Sequence, residues 1–532
     1  MRIFIPPALL IGTDIFDRFL DENKLREFAL NATDDREVAG RFIRAKKFPE
    51  DILDELAAFL ELVDAPLAVR SSSLLEDSHN HPFAGVYKTY FLANTDPDRI
   101  QRLSSLVQAV KRVFASTFFR SAKNYIKATS FRLEDEKMAV IVQKMTGSVH
   151  GSRYYPDISG VARSFNFYPS PPQKPSDGIV AMALGLGKMV VEGGPVMRFC
   201  PKCPGRTDPI STINASGEHQ NDFFALDLNH DSTDPAPGDD FVKKFQLRCA
   251  EEDGTLARVA STYVPEDDAI HDGVSRDGVR IVTFSPLLKR KDLPLTDILN
   301  LLLDMGGWGM GTPVEIEFAV NLALPPDKPK EFSVLQMRPI VLNRELELLD
   351  LDSYGRRDLI CSSEQILGNG VNRDILDIVV VDRDRFERDK SREAAREIAG
   401  INASLMAKGR KYLLVGVGRW GSLDPWLGIP VTWDQIAGAC VIVETGFKDF
   451  TVMPSQGSHF FHNLNSFHVG YFTVGSDERR DFIDWDWLAG QPAAESGRFV
   501  RYIQLQKPIA VLMSGHQGRG IILKPEANRA GS

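Results

Sequence analysis

The 532-residue chain has no uncharged apolar run approaching the roughly 18 residues of a membrane span, so no membrane partner is expected. Its apolar opening, Met1-Arg2-Ile3-Phe4-Ile5-Pro6-Pro7, is short, broken by prolines and followed by no small-residue cleavage site. It does not read as a secretory signal, and a cytoplasmic protein is expected. Cysteine is scarce: five residues, an odd number, make no disulfide framework. Cys200-Pro201-Lys202-Cys203 has the spacing of a zinc knuckle, but no second pair follows it. A structural zinc site takes four ligands, which favours a reduced loop pair over a metal. Basic runs are missing too. With a formal net charge of -9 the chain lacks the clustered Lys and Arg that neutralise nucleic-acid phosphates, so nucleic acid is not an expected partner.

The rest of the composition, 43% hydrophobic and 25% charged, allows two to four ordinary domains with ample core. Two late segments carry the strongest pattern: Val314-Glu315-Ile316-Glu317-Phe318 and Val334-Leu335-Gln336-Met337-Arg338-Pro339. Polar and apolar residues alternate with the period of two of a half-buried strand, so Glu315 and Glu317 share one face, as do Gln336 and Arg338. The connection between them, with Leu324-Pro325-Pro326-Asp327, suits a long hairpin loop that could set the polar faces side by side. Carboxylates beside an amide oxygen suit a hard cation such as Mg²⁺. A neighbouring guanidinium suits a phosphoryl group, which it grips with two parallel hydrogen bonds. An exposed sheet face with ordinary surface charges would give the same spacing.

Far upstream, the apolar run Pro66-Leu67-Ala68-Val69 breaks into Arg70-Ser71-Ser72-Ser73, then Glu76-Asp77 and Phe83-Ala84-Gly85. An arginine and three hydroxyls at a strand end offer charge and donors to an anion. Serines followed by acids three to five residues on also suit a helix cap. The whole segment resembles the Val-Arg-Ser-Ser…Glu-Asp…Phe-Ala-Gly motif of the nucleotide-binding domain in the phosphoenolpyruvate synthase and pyruvate phosphate dikinase family. Further segments resemble that family in order. They are the amphipathic helix around Val113–Ser116, Arg120 and Tyr125; the strand and adenine hinge Met138–Met145; and the loop Gly185-Leu186-Gly187. The two strands above close the set, and the resemblance covers about residues 5 to 345.

That resemblance implies an ATP-grasp fold, an α+β nucleotide-binding domain over 1–345, followed by a smaller α/β domain over 346–532. It implies an ATP- and Mg²⁺-dependent phosphotransferase. Arg70 and Arg338 would hold phosphates, Gln143, Lys144 and Met145 would line the adenine pocket, and Ser71, Gly185, Gly187 and Lys188 would also contact the nucleotide. Glu317 and Gln336 would hold magnesium, with Glu315 as a further metal group or a support behind it. The family's opening Gly-Gly-Lys segment would precede Ile5-Pro6-Pro7, where this chain starts. A truncated start, a loss of that lysine, and its replacement by Lys188 all remain open. The family's mobile Gly-Gly-x-Thr-(Ser/Cys)-His motif has no match, and the remaining residues are too few for a barrel of about 250 residues beside anything else. A non-catalytic ATP-binding regulatory module, or a subunit completing an enzyme with a partner chain, is the alternative.

The second half offers a helix over Arg392–Gly409 and a strand Tyr412–Val415 entering Gly416-Val417-Gly418-Arg419-Trp420-Gly421-Ser422. The glycines there favour a tight turn with a packing tryptophan over an anion cradle. In Ser455-Gln456-Gly457-Ser458-His459, followed by Phe460-Phe461-His462, His459 is a candidate phosphoryl acceptor. A buried structural histidine is favoured over it. The acceptor is left open as His459, a small molecule or a partner protein, and so is self-association.

Overall fold

In the computed structural model the described residues are all but 74, 77–86, 128–131, 168, 170–172, 205–218, 230–240, 291–292, 326, 341–350, 423–425, 448–463, 465–468, 476–480, 516–517 and 527–532. Among them, no helix is long and apolar enough to cross a membrane. The chain divides into two units, 1–165 with 176–191 and 195–340, and 166–175 with 192–194 and 341–532.

The first unit is a mixed α+β body. Its six-stranded sheet runs in the order Arg2–Phe4, Glu331–Pro339, Val314–Asn321, Ile158–Arg163, Ile179–Ala183, Met197–Phe199. A four-stranded sheet runs Ala8–Ile11, Met138–Lys144, Leu67–Ser73, Tyr90–Leu92. Leu67, Ala68 and Val69 are all buried, as expected of an interior strand covered on both faces. Helices shield this sheet. In Thr13–Glu22 the buried Ile15, Phe16, Phe19 and Leu20 fall on one helical stripe. Phe16 meets Phe114 of helix Arg99–Ser116 with ring centroids 5.2 Å apart. The amphipathic stretch read as one helix is two, Arg99–Ser116 and Arg120–Lys127.

Helix formation overrides glycine in one place. A helix runs over Leu295–Met310, through Gly306, Gly307 and Gly309, and ends at Gly311 with φ of +66°. A Cβ on Gly306 would lie 3.0 Å from the side chains of both Met337 and Val314, so glycine is what lets this helix sit against the back of the 314–321/331–339 hairpin.

The second unit holds a ten-stranded sheet. Its centre is parallel: Tyr412–Val417 pairs in parallel with Gly370–Val381 on one side and Ala439–Thr445 on the other, and all six of its residues are buried. Helix Ser391–Ala407 covers it, and Gly409 follows with φ of +65°. The glycine-rich segment is a packed turn. Trp420 is fully buried and donates its indole N–H to Val443 O at 3.1 Å. Glu444, itself buried, accepts from the backbone N–H of Trp420 and from the Tyr471 hydroxyl.

One buried carboxylate anchors the strand that carries the acidic pair. Asp157 accepts from the N–H groups of Leu322 at 2.6 Å and Ala323 at 3.0 Å, and from Arg258 at 2.9 Å. Asp157→Ala should lower stability by about 3 kcal/mol, because it strands buried donors and a guanidinium. Urea unfolding should show a lower midpoint at unchanged slope, with Asp157→Asn losing less. A midpoint equal to wild type would show the anchor to be dispensable.

Candidate functional site

The two strands pair antiparallel, with Glu315 opposite Arg338 and Glu317 opposite Gln336. A register shift follows Glu317. Val314, Ile316 and Phe318 turn into the core, with no more than 1% exposure. The pairing thus sets the carboxylate of Glu317 beside the amide of Gln336, as the alternation predicts.

Arg70 arrives from the other sheet. Its Nη2 donates to Gln336 Oε1 at 2.7 Å and lies 3.5 Å from Glu317 Oε2. Arg338 Nη2 donates to the same Gln336 oxygen at 2.7 Å. Four of the residues picked from sequence therefore meet in one half-buried cluster, with the Arg70 and Glu317 side chains 21% and 17% exposed. Arg338 Nε is buried and finds no partner among the described residues. A buried N–H without an acceptor costs about 1–3 kcal/mol.

Glu315 has a different task. It is buried and accepts from Arg163 Nε at 2.5 Å, an ion pair that sequence reading missed. Arg163 stands at the end of a strand whose six residues are all buried, and the signal for it would have been a lone charge closing an apolar run. Glu315 is thus held by Arg163 inside the buried part of the strand.

The hinge segment lies on the strand next to Arg70. Gln143 is opposite Ala68 and Lys144 opposite Leu67, while Gln143 and Met145 are buried and Lys144 half-buried. Met145 N–H donates to Pro66 O at 2.8 Å, and its carbonyl accepts from Tyr154 at 2.9 Å. Ser71 is half-buried on the Arg70 strand itself. Gly185, Gly187 and Lys188 stand elsewhere in the topology, beyond the end of strand Ile179–Ala183 and next to Phe224. Gly185 has φ of +86°, and a Cβ there would come within 2.5 Å of Phe224 O. Lys188 opens a short helix and sits 5.3 Å from the Phe224 ring. His459 and His462, with Asp77 and Phe83–Gly85, lie outside the described residues.

Behind the Arg70 strand, Glu136 is 5% exposed and accepts from the Tyr87 hydroxyl at 2.8 Å. Burial pushes the Glu136 carboxyl above its ordinary value, against hydrogen bonds from Ser73 and Tyr87 that favour the anion. Burial and the Glu136 charge likewise push the Tyr87 phenol well up.

A family model described as the pyruvate phosphate dikinase, AMP/ATP-binding domain matches residues 1–348. A phosphoenolpyruvate synthase of Aeropyrum pernix is 25% identical over 359 residues, 63% of this chain and 38% of that protein. An uncharacterized phosphotransferase of Bacillus subtilis is 29% identical over 194 residues, 36% of this chain and 20% of that protein. The phosphoenolpyruvate synthase of Escherichia coli is 28% identical over 212 residues, 36% of this chain and 24% of that protein. The chain thus spans between 20% and 38% of the length of these relatives.

The raised Glu136 carboxyl gives a pH signature. A group whose folded value lies above its unfolded value, here 4.5, contributes stability below that value and loses it as pH rises through the folded one. Glu136→Gln keeps an acceptor for Tyr87 but cannot ionise, so it should be more stable than wild type at neutral pH. Urea midpoints measured against pH should show that advantage shrink toward pH 4.5 and below. A pH-independent difference would show that Glu136 ionises without penalty.

Proposed function

The chain belongs to the family of the pyruvate phosphate dikinase AMP/ATP-binding domain, and from that premise we propose that it binds ATP with Mg²⁺ on the Arg70–Glu317–Gln336–Arg338 cluster and passes on a phosphoryl group. The observation that carries this reading is the crowding of two guanidiniums onto one amide oxygen, with Arg338 Nε left without an acceptor among the described residues. Two cations face a single carboxylate, so the cluster keeps a net positive charge suited to phosphate oxygens. Guanidinium forks match phosphate in shape as well as sign.

The donor set also fits a hard divalent cation, since Glu317 offers a carboxylate and Gln336 an amide oxygen on paired strands. In the described arrangement those oxygens are engaged by Arg70 and Arg338. A cation alone would have to displace both arginines, whereas a triphosphate gives the guanidiniums new acceptors and releases the oxygens. Nucleotide and metal should therefore bind together. Bound there, Mg²⁺ would neutralise charge on the phosphates, and the protein's share of the chemistry is positioning and charge stabilisation. Arg70 and Arg338 would grip the phosphates, Glu317 and Gln336 the metal, and the Gln143–Met145 segment would line the adenine. The acceptor is His459, a small molecule or a partner protein.

Calorimetric titration with a non-hydrolysable ATP analogue and Mg²⁺ tests this. Wild type should bind, and Arg338→Ala should weaken affinity by tenfold or more, given about 1.5–3 kcal/mol for a hydrogen bond to a charged group. Glu317→Gln should blunt the dependence on Mg²⁺, while Glu134→Gln at an exposed position should change nothing. Wild-type protein that ignores the analogue at millimolar concentration would end the proposal.

A further inference from the structure

The two cysteines set aside in the sequence acquire a third neighbour in the fold. Cys200 follows the three-residue edge strand Met197–Phe199, and Cys203 closes the turn with its N–H 3.2 Å from Cys200 O. Asp177 ends the 3₁₀ turn Pro175–Asp177 that leads into strand Ile179–Ala183. These two strands pair antiparallel, with Phe199 opposite Val180, which brings the end of one to the start of the other. One ligand atom from each of Asp177, Cys200 and Cys203 lies within 4.8 Å of the other two.

That spacing is close to what one ion requires. Two ligands at about 2.3 Å from a tetrahedral zinc stand about 3.8 Å apart, so closure needs each separation to shrink by no more than about 1 Å. Side-chain rotation can supply that without moving the strands. The backbone N–H groups of Cys203 and Lys202 donate to the Cys200 sulfur. Such donors orient and tune a metal-bound sulfur. A cavity of about 350 Å³ reaches the cluster on its Asp177 and Lys202 side.

We propose that Cys200, Cys203 and Asp177 form a zinc site that clamps the open end of the Ile179–Ala183/Met197–Phe199 strand pair. Two thiolates select zinc over the hard cations that carboxylates alone would take. Binding releases the two thiol protons to solvent, and the remaining coordination position takes water. A clamp has a clear physical use here. Met197–Phe199 is the last strand of its sheet and contributes only three residues to the ladder, while the connection it closes carries Gly185, Gly187 and Lys188. The site stands independently of whether that loop binds a nucleotide.

The test uses the full chain, reduced, stripped of metal and then titrated with Zn²⁺ and, separately, Co²⁺. Wild type should take up one zinc per chain by elemental analysis, and cobalt should give a thiolate-to-metal charge-transfer band. Cys203→Ser should abolish that band, and Asp177→Asn should weaken zinc affinity about tenfold or more while leaving the fold intact by circular dichroism. Cys249→Ser, in a separate helix, should match wild type. Zinc should raise the melting temperature of wild type but not of Cys203→Ser. Reduced wild type that takes up no zinc at micromolar concentration would overturn the proposal. So would uptake unchanged in both Cys203→Ser and Asp177→Asn, or a Cys200–Cys203 disulfide whose reduction brings no metal binding.

Discussion

The organisation of the site depends on one shared acceptor. Gln336 Oε1 receives hydrogen bonds from Arg70 and Arg338, both at 2.7 Å, and these guanidiniums come from different sheets. Like charges brought so close repel. At an effective dielectric of about 20, unit charges about 4 Å apart interact by about 4 kcal/mol, and one carboxylate offsets only part of two cations. The strands hold Glu317 where it can do that, opposite Gln336 and 3.5 Å from Arg70. The excess positive charge is what the proposed phosphate ligand would offset.

Two carboxylates two residues apart on one strand serve different ends because burial separates them. Glu315 is 2% exposed and holds Arg163, while Glu317 is 17% exposed and faces Arg70. A buried ion pair contributes little net stability, but removing one partner is costly, so Arg163 and Glu315 fix each other in place. Asp157 does the same for the far end of the strand, satisfying the N–H groups of Leu322 and Ala323. Gly306 completes the arrangement by allowing a helix to lie against Met337, between Gln336 and Arg338 in sequence. The half-buried cluster is thus positioned by fully buried contacts around it.

Much of this was legible in the chain because it is local. The period-two alternation in 314–318 and 334–339 names both strands and their polar faces, and the short connection predicts that they pair. The apolar run ending at Arg70 marks a strand, and Tyr412–Val415 another, since buried strands need continuous apolar residues. The helix through Gly306–Gly309 was not legible, because intrinsic propensity disfavours it and only close packing explains it. The division of labour between Glu315 and Glu317 was equally hidden: both carry the same side chain on the same face, and burial is not written in either.

The amino-acid sequence by itself determined the strands, their polar faces, the family and the residue types able to grip phosphate and magnesium. Tertiary structure alone decided which of those residues meet. Arg70 reaches Gln336 across 266 positions, and Arg163 reaches Glu315 across 152. It also put Asp177 beside Cys200, 23 residues later, which no spacing rule for cysteine pairs would have found. The physical reason is that side-chain periodicity is set by the backbone of each segment, whereas charge compensation and ligand sets arise between segments that only the packed core brings together.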